Sequence, residues 1–180
     1  MSVQARILGA LIGVEGAGVL ARLSLPWQWR PYFEASGNVY GVDPDLLHAI
    51  SLTENPGQDP NAIGAPNRDG TRDYGAMQIN EVNFVALGLG TVAQGLWRDP
   101  ARSIAAAAQL VASNRQRVPN ASAPDELSMY NAGVSTLGPH AKVTAAGRYI
   151  NEAYVWRGVL WLWAVKLASL VPALGVQRTT

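Results

Sequence analysis

A single carboxylate, Glu54, closes the apolar run Leu46-Leu47-His48-Ala49-Ile50-Ser51-Leu52-Thr53. A loop rich in Pro, Gly, Asn and Asp leads from it to an uncharged stretch, Tyr74-Gly75-Ala76-Met77-Gln78-Ile79-Asn80. A carboxyl group so placed can work as a general acid where its surroundings withhold water, because desolvation disfavours the ionised form and keeps a proton available near neutral pH. Donation of that proton to a leaving oxygen is the chemistry of glycosidic cleavage. Helical spacing puts Leu47, Ile50, Ser51 and Glu54 on one face, so the carboxylate points with residues that should be buried. The same spacing also suits a polar last turn in solvent, and spacing alone leaves both readings open.

The elements that must position this group are legible from caps and periodicity. Asp43-Pro44-Asp45 reads as a helix start: Asp43 caps free N–H groups, Pro44 fits the first position and Asp45 complements the dipole. The helix then runs to Glu54. Pro56 to Asp73 has no apolar period and reads as a surface loop. Within it, Asn67 to Asp73 offers oxygen ligands of the calcium type but lacks a bidentate Glu and the full spacing, so Asp69-Gly70 is taken as a hairpin turn and no metal site is expected. Residues 81 to 97 suggest a weak helix and a Gly-punctuated turn. Asp99-Pro100 repeats the cap-plus-Pro start, and Ala101 to Arg117 is a strong helix with Ile104 to Val111 as its packing centre. Pro119 to Pro124 reads as a loop. Tyr130 and Asn131 then stand at a helix end before Gly133, where a hydroxyl and an amide can face one ligand. Trp27, Trp29, Tyr32 and Phe33 read as core.

Composition narrows the function classes. The chain has 180 residues, 48% of them hydrophobic, enough for one domain with a sizeable core. Its net charge is +1 and its basic residues form no stripe, so a nucleic-acid partner is not expected. It has no cysteine, which rules out a disulfide framework and a thiolate metal site. His48 and His140 are the only histidines, too few for a His-ligated metal and a poor basis for a Ser-His-Asp triad, and no cofactor is expected.

Taken together, Glu54-Asn55-Pro56, Pro60-Asn61-Ala62-Ile63-Gly64, Tyr74 to Asn80 and Met129-Tyr130-Asn131-Ala132-Gly133 resemble the active-site signature of lytic transglycosylases, which cut the glycan strands of peptidoglycan on a goose-lysozyme-like fold. The entry into the catalytic helix, Tyr40-Gly41-Val42-Asp43-Pro44-Asp45-Leu46-Leu47, is similar too. Two positions depart from the family pattern, Asn55 in place of Ser and Ala76 in place of Leu. Asn can still bond a carboxylate and Ala only shortens an apolar contact.

The resemblance spans roughly residues 30 to 155 and implies a mainly α, lysozyme-like (α+β) fold with a small β hairpin near residues 70–80. It implies Glu54 as the catalytic acid, with Asn55, Tyr74, Gly75, Met77, Gln78, Tyr130, Asn131 and Tyr149 around the substrate. Met77 would pack on sugar, Gln78 would bond an N-acetyl arm, Tyr130 would orient the acid and Asn131 would bind sugar. A Tyr-Val on the last helix should reach the carboxylate; Tyr149-Ile150 is taken for it, and Tyr154-Val155 can be aligned there instead. The resemblance further implies peptidoglycan glycan as the partner, with the protein expected in the cell envelope (periplasmic face, membrane-associated) or carried on a virion. Asp73 across the cleft with a water between would turn the outcome to lysozyme-type hydrolysis. A wall-binding assembly component of a secretion system or virion is the alternative outside enzymology.

Both ends are apolar. Residues 1–25 are read as a retained hydrophobic or interfacial helix, a cleaved signal or a core helix; 26–154 as the catalytic domain; 155–180 as an apolar helix and tail that packs on the first segment or lies in a membrane interface.

Overall fold

The computed structural model describes residues 25–134 and 147–170; the readings made on residues 1–24, 135–146 and 171–180 lie outside the described residues. In chain order the elements are α1 (Arg30–Tyr40), α2 (Pro44–Glu54), β1 (Asp73–Tyr74), β2 (Ile79–Asn80), α3 (Pro100–Arg117), α4 (Ala123–Ala132) and α5 (Glu152–Leu170). The strands form one antiparallel hairpin with Asp73 opposite Asn80 and Tyr74 opposite Ile79. This is the mainly α, lysozyme-like architecture with a small hairpin that the sequence implied.

Helix α2 forms where its sequence dictates. Asp43 Oδ1 accepts from the Asp45 N–H at 2.9 Å, Pro44 occupies the first turn, and the Asn55 N–H closes the last turn on Ser51 O at 2.8 Å. All eight residues from Leu46 to Thr53 are buried, so this is the central helix of the domain rather than a half-exposed one. Helices α1, α3 and α5 all pack on it. Even His48 is inside, stacked on Phe33 at 4.9 Å with its Nε2 3.1 Å from Pro26 O; burial pulls its pKa down to about 4, which keeps the ring neutral.

Around α2 lies a continuous core in which Phe33, Phe84 and Trp97 are fully buried, each contributing roughly 1.5–3 kcal/mol. Asp99 caps α3 through the Ala101 N–H at 2.9 Å, and Ala106, Ala107 and Ala108 are buried where α3 meets its neighbours. Small side chains there let helix axes approach. Ser122 and Asp125 form a capping box on α4. That helix starts at Ala123, so Pro124, expected in a loop, sits in its first turn, where a missing N–H does no harm. Residues 81–98 hold three short 3-10 turns in place of a weak α-helix.

Helix α5 lies along α2 and α4. Gly158 marks its closest approach to α4, since a Cβ there would stand 2.6 Å from Leu127 Cδ2. Lys166 Nζ pairs with Asp43 Oδ2 at 2.8 Å and so ties the end of α5 to the start of α2. Among the described residues, no helix is long and apolar enough to cross a membrane.

Candidate active site

Glu54 ends the central helix, and its side chain is only partly accessible, from a cleft of about 500 Å³. One hydrogen bond fixes it: Tyr154 Oη on α5 donates to Glu54 Oε1 at 2.8 Å. Burial dominates its titration and, with the negative charge of Asp73, outweighs the Tyr154 bond and the Arg157 cation, pushing the carboxyl up to about 7 from an ordinary 4.5. The side chain is therefore an acid with a proton to give at neutral pH. Tyr154 and Tyr130 titrate well above the ordinary phenol, through burial and the nearby Glu54 charge, so both stay protonated donors.

The turn 75–78 between the strands is the opposite element. Ser51 Oγ donates to Ala76 O at 3.3 Å, the Met77 N–H donates to Ser103 Oγ at 3.3 Å, and Tyr130 Oη donates to Met77 O at 2.7 Å. Helices α2, α3 and α4 thus each hold the turn by one hydroxyl. Gly75 permits it, with φ +77° and only 2.4 Å between a hypothetical Cβ and Trp97 O. Gly75→Ala is expected to destabilise the fold by about 2–4 kcal/mol, readable as a lower urea midpoint with unchanged slope. Gln78 adopts φ +48° and is held by its Nε2, which donates to Gly75 O at 3.0 Å and Ala62 O at 3.3 Å.

The sequence-derived site residues separate into two groups. Glu54, Gln78, Tyr130 and Asn131 meet at the cleft. Asn131 Oδ1 accepts from Asn151 Nδ2 at 3.0 Å, which orients the amide. The other five act behind the cleft wall. Asn55 is buried and folds the loop, donating to Asp59 O at 2.7 Å and accepting from Asp59 N at 3.2 Å, so its amide is spent on backbone rather than sugar. Tyr74 packs in the core against Phe84 and Trp97 at 5.6 and 5.0 Å, and Met77, in the turn, is fully buried; both belong to apolar packing. Gly75 serves by its conformation.

Two tyrosines exchange roles. Tyr149 lies just before α5, and its hydroxyl donates to Asp125 at 2.7 Å, not to Glu54. The carboxylate is reached by Tyr154, in the first turn of α5 on the face that meets α2. Tyr130, expected to orient the acid, holds the turn instead. The Tyr-Val pair at 154–155 was the available signal for the correction. Residues outside every motif also line the cleft, among them Asn83, Leu110, Asn114 and Arg117. Asp69 shares that wall, yet its Oδ1 is engaged by the Thr71 N–H at 3.0 Å and hydroxyl at 2.7 Å, as its turn position requires.

Comparison with known families and proteins finds the same region. The family profile described as "Transglycosylase SLT domain" matches residues 31–152. The chain is similar to "Invasion protein IagB" of Salmonella typhimurium, strains SL1344 and LT2, and of Salmonella typhi. Each is 31% identical over 118 residues, covering 65% of this chain and 71% of the relative.

Proposed function

The chain belongs to the transglycosylase SLT domain family, and from that premise we propose that it cleaves the β-1,4 bond between MurNAc and GlcNAc in peptidoglycan, leaving a 1,6-anhydroMurNAc end. The observation that carries this reading is the Glu54 carboxyl at the cleft, desolvated, raised to about 7 and held by Tyr154. Glu54 gives its proton to the glycosidic oxygen as the C1–O bond breaks. The resulting carboxylate, steadied by the Tyr154 hydroxyl, takes the proton of the MurNAc C6 hydroxyl while O6 closes on C1. Protons balance and no water is consumed, so one carboxyl suffices where a glycoside hydrolase ordinarily needs two. Along the same cleft Asn131 has its Nδ2 and Gln78 its Oε1 left for the sugar, their other amide atoms being engaged within the protein.

The relatives' designation as invasion proteins supports a role in local opening of the wall, as a small enzyme serving an envelope-crossing assembly. A specific observation also favours a second reading. Asp73 shares the cleft with Glu54 and its charge acts on it, which suits a carboxylate positioning a water for lysozyme-type hydrolysis.

Mass spectrometry of muropeptides released from purified peptidoglycan tests both. Anhydro ends are expected, and Asp73→Asn should retain them at a rate within about fivefold of the parent, with the Glu54 titration moving down because a neighbouring negative charge is gone. Reducing ends that vanish in Asp73→Asn would establish hydrolysis. No release by the parent chain would leave wall binding as the function of the cleft.

A further inference from the structure

The outer face of α5 carries an apolar line that the fold does not use. Trp156, Leu160, Trp163 and Leu167 are 43, 46, 58 and 47% exposed, although each is large and apolar. Their spacing of four, three and four residues keeps them on one strip of a helix with 3.6 residues per turn. The opposite face, with Tyr154, Val155, Leu162 and Val165, is the one buried against the domain. A strip of this kind on a small soluble surface marks a contact.

The chemistry around the strip indicates what it contacts. Two of its four residues are tryptophans, whose indoles combine an apolar ring with an N–H donor and settle at the headgroup level of a bilayer. Arg157, exposed, lies roughly a quarter turn to one side of the strip, where its stem can run along it and its charge can reach anionic headgroups, while Lys166 on the other side lends its stem and keeps its charge on Asp43. The one acidic residue of α5, Glu152, is at its first position and is neutralised by Arg148 at 2.9 Å. The helix is not long and apolar enough to cross, which suits a helix that lies in the interface plane. Leu25, where the described chain begins, is buried against Val165 and Ala168 of this same helix.

We propose that the Trp156–Leu160–Trp163–Leu167 face of α5 is a docking surface for an anionic lipid bilayer. The helix then has two working faces: the inner one holds Tyr154 on Glu54, and the outer one sets the cleft beside the membrane.

The test is co-flotation of the full chain with vesicles of phosphatidylcholine containing roughly 30% phosphatidylglycerol, against phosphatidylcholine alone and against Leu160→Glu/Trp163→Glu. The parent is expected to float with the anionic vesicles, and the double variant to lose at least about tenfold in partition while keeping its thermal midpoint. Should that variant fail to fold, Leu160→Ser/Leu167→Ser gives the same reading with both indoles kept. A parent that stays at the bottom of the gradient overturns the proposal. Equal flotation of parent and variants also overturns it, and assigns membrane binding to other apolar parts of the chain. A dimer that the substitutions dissolve, with no flotation, would make the face a contact between two copies instead.

Discussion

Replacing Glu54 by Gln is expected to lower release of anhydro-muropeptides by about 10³-fold, the ordinary contribution of a positioned acid and base. Gln has nearly the same shape, and its carbonyl oxygen can still accept the Tyr154 hydroxyl, so the site should keep its geometry while losing its proton. The same substitution is expected to change stability in the opposite sense. The Glu54 carboxyl titrates near 7 in the folded chain against 4.5 for an ordinary glutamate. A raised folded-state value means that the folded chain binds the proton more tightly, so its contribution to stability is complete below pH 4.5 and is lost as pH rises through 7. The size of that loss is about 3 kcal/mol. Glu54→Gln, which cannot ionise, should escape it. Buried His48, lowered to about 4, adds the same pH dependence to both proteins, so the readout is the difference between them: in urea titrations from pH 4 to 8 the variant should gain on the parent by about 3 kcal/mol. A difference that stays constant over that range would mean that the carboxyl is not desolvated, and the acid role would lose its physical basis.

The second large effect is expected at Tyr154. Its hydroxyl is a charge-assisted donor to the Glu54 carboxylate, worth about 1.5–3 kcal/mol, so Tyr154→Phe should slow cleavage by about 10- to 100-fold. The pH profile separates this from simple loss of packing. A donor to the carboxylate favours the charged form; removing it pushes the Glu54 titration above 7, and the basic limb of activity should move to higher pH. Tyr149→Phe is the matched control. It removes a bond to Asp125 at the start of α4 and should leave the limb in place. A limb that moved with Tyr149 and not with Tyr154 would return the role to the residue chosen from sequence.

These two tyrosines show where reading the sequence stops. Both precede a β-branched residue, Ile150 or Val155, and both fit the last motif by type. They differ in what the fold places opposite: Tyr149 stands before α5 against the α4 cap, while Tyr154 is on the α5 face that meets α2. Local pattern carries no information about which helix a face will meet. The same limit explains Asn55, Tyr74 and Met77. All three stand at motif positions, but whether a motif residue touches ligand or supports a neighbour that does depends on which side of the turn 75–78 faces the cleft. That side is decided by hydroxyls from Ser51, Ser103 and Tyr130, separated in sequence by tens of residues.

What the sequence determined by itself were features whose cause is local. The cap and proline at Asp43-Pro44 and at Asp99-Pro100 place two helix starts, because orphan N–H groups need an acceptor within a turn. The Asp69-Gly70 turn follows from its own side-chain bonds. The family and the mainly α class follow from four motifs in order. Tertiary structure alone decided that α2 is buried on every side, that burial raises the Glu54 carboxyl to about 7 and that Tyr154 anchors that carboxyl. It also decided that one face of α5 turns outward with Trp156 and Trp163 on it. Each of these is a relation between segments far apart in the chain, and burial, unlike a cap, is a property of the whole packed molecule.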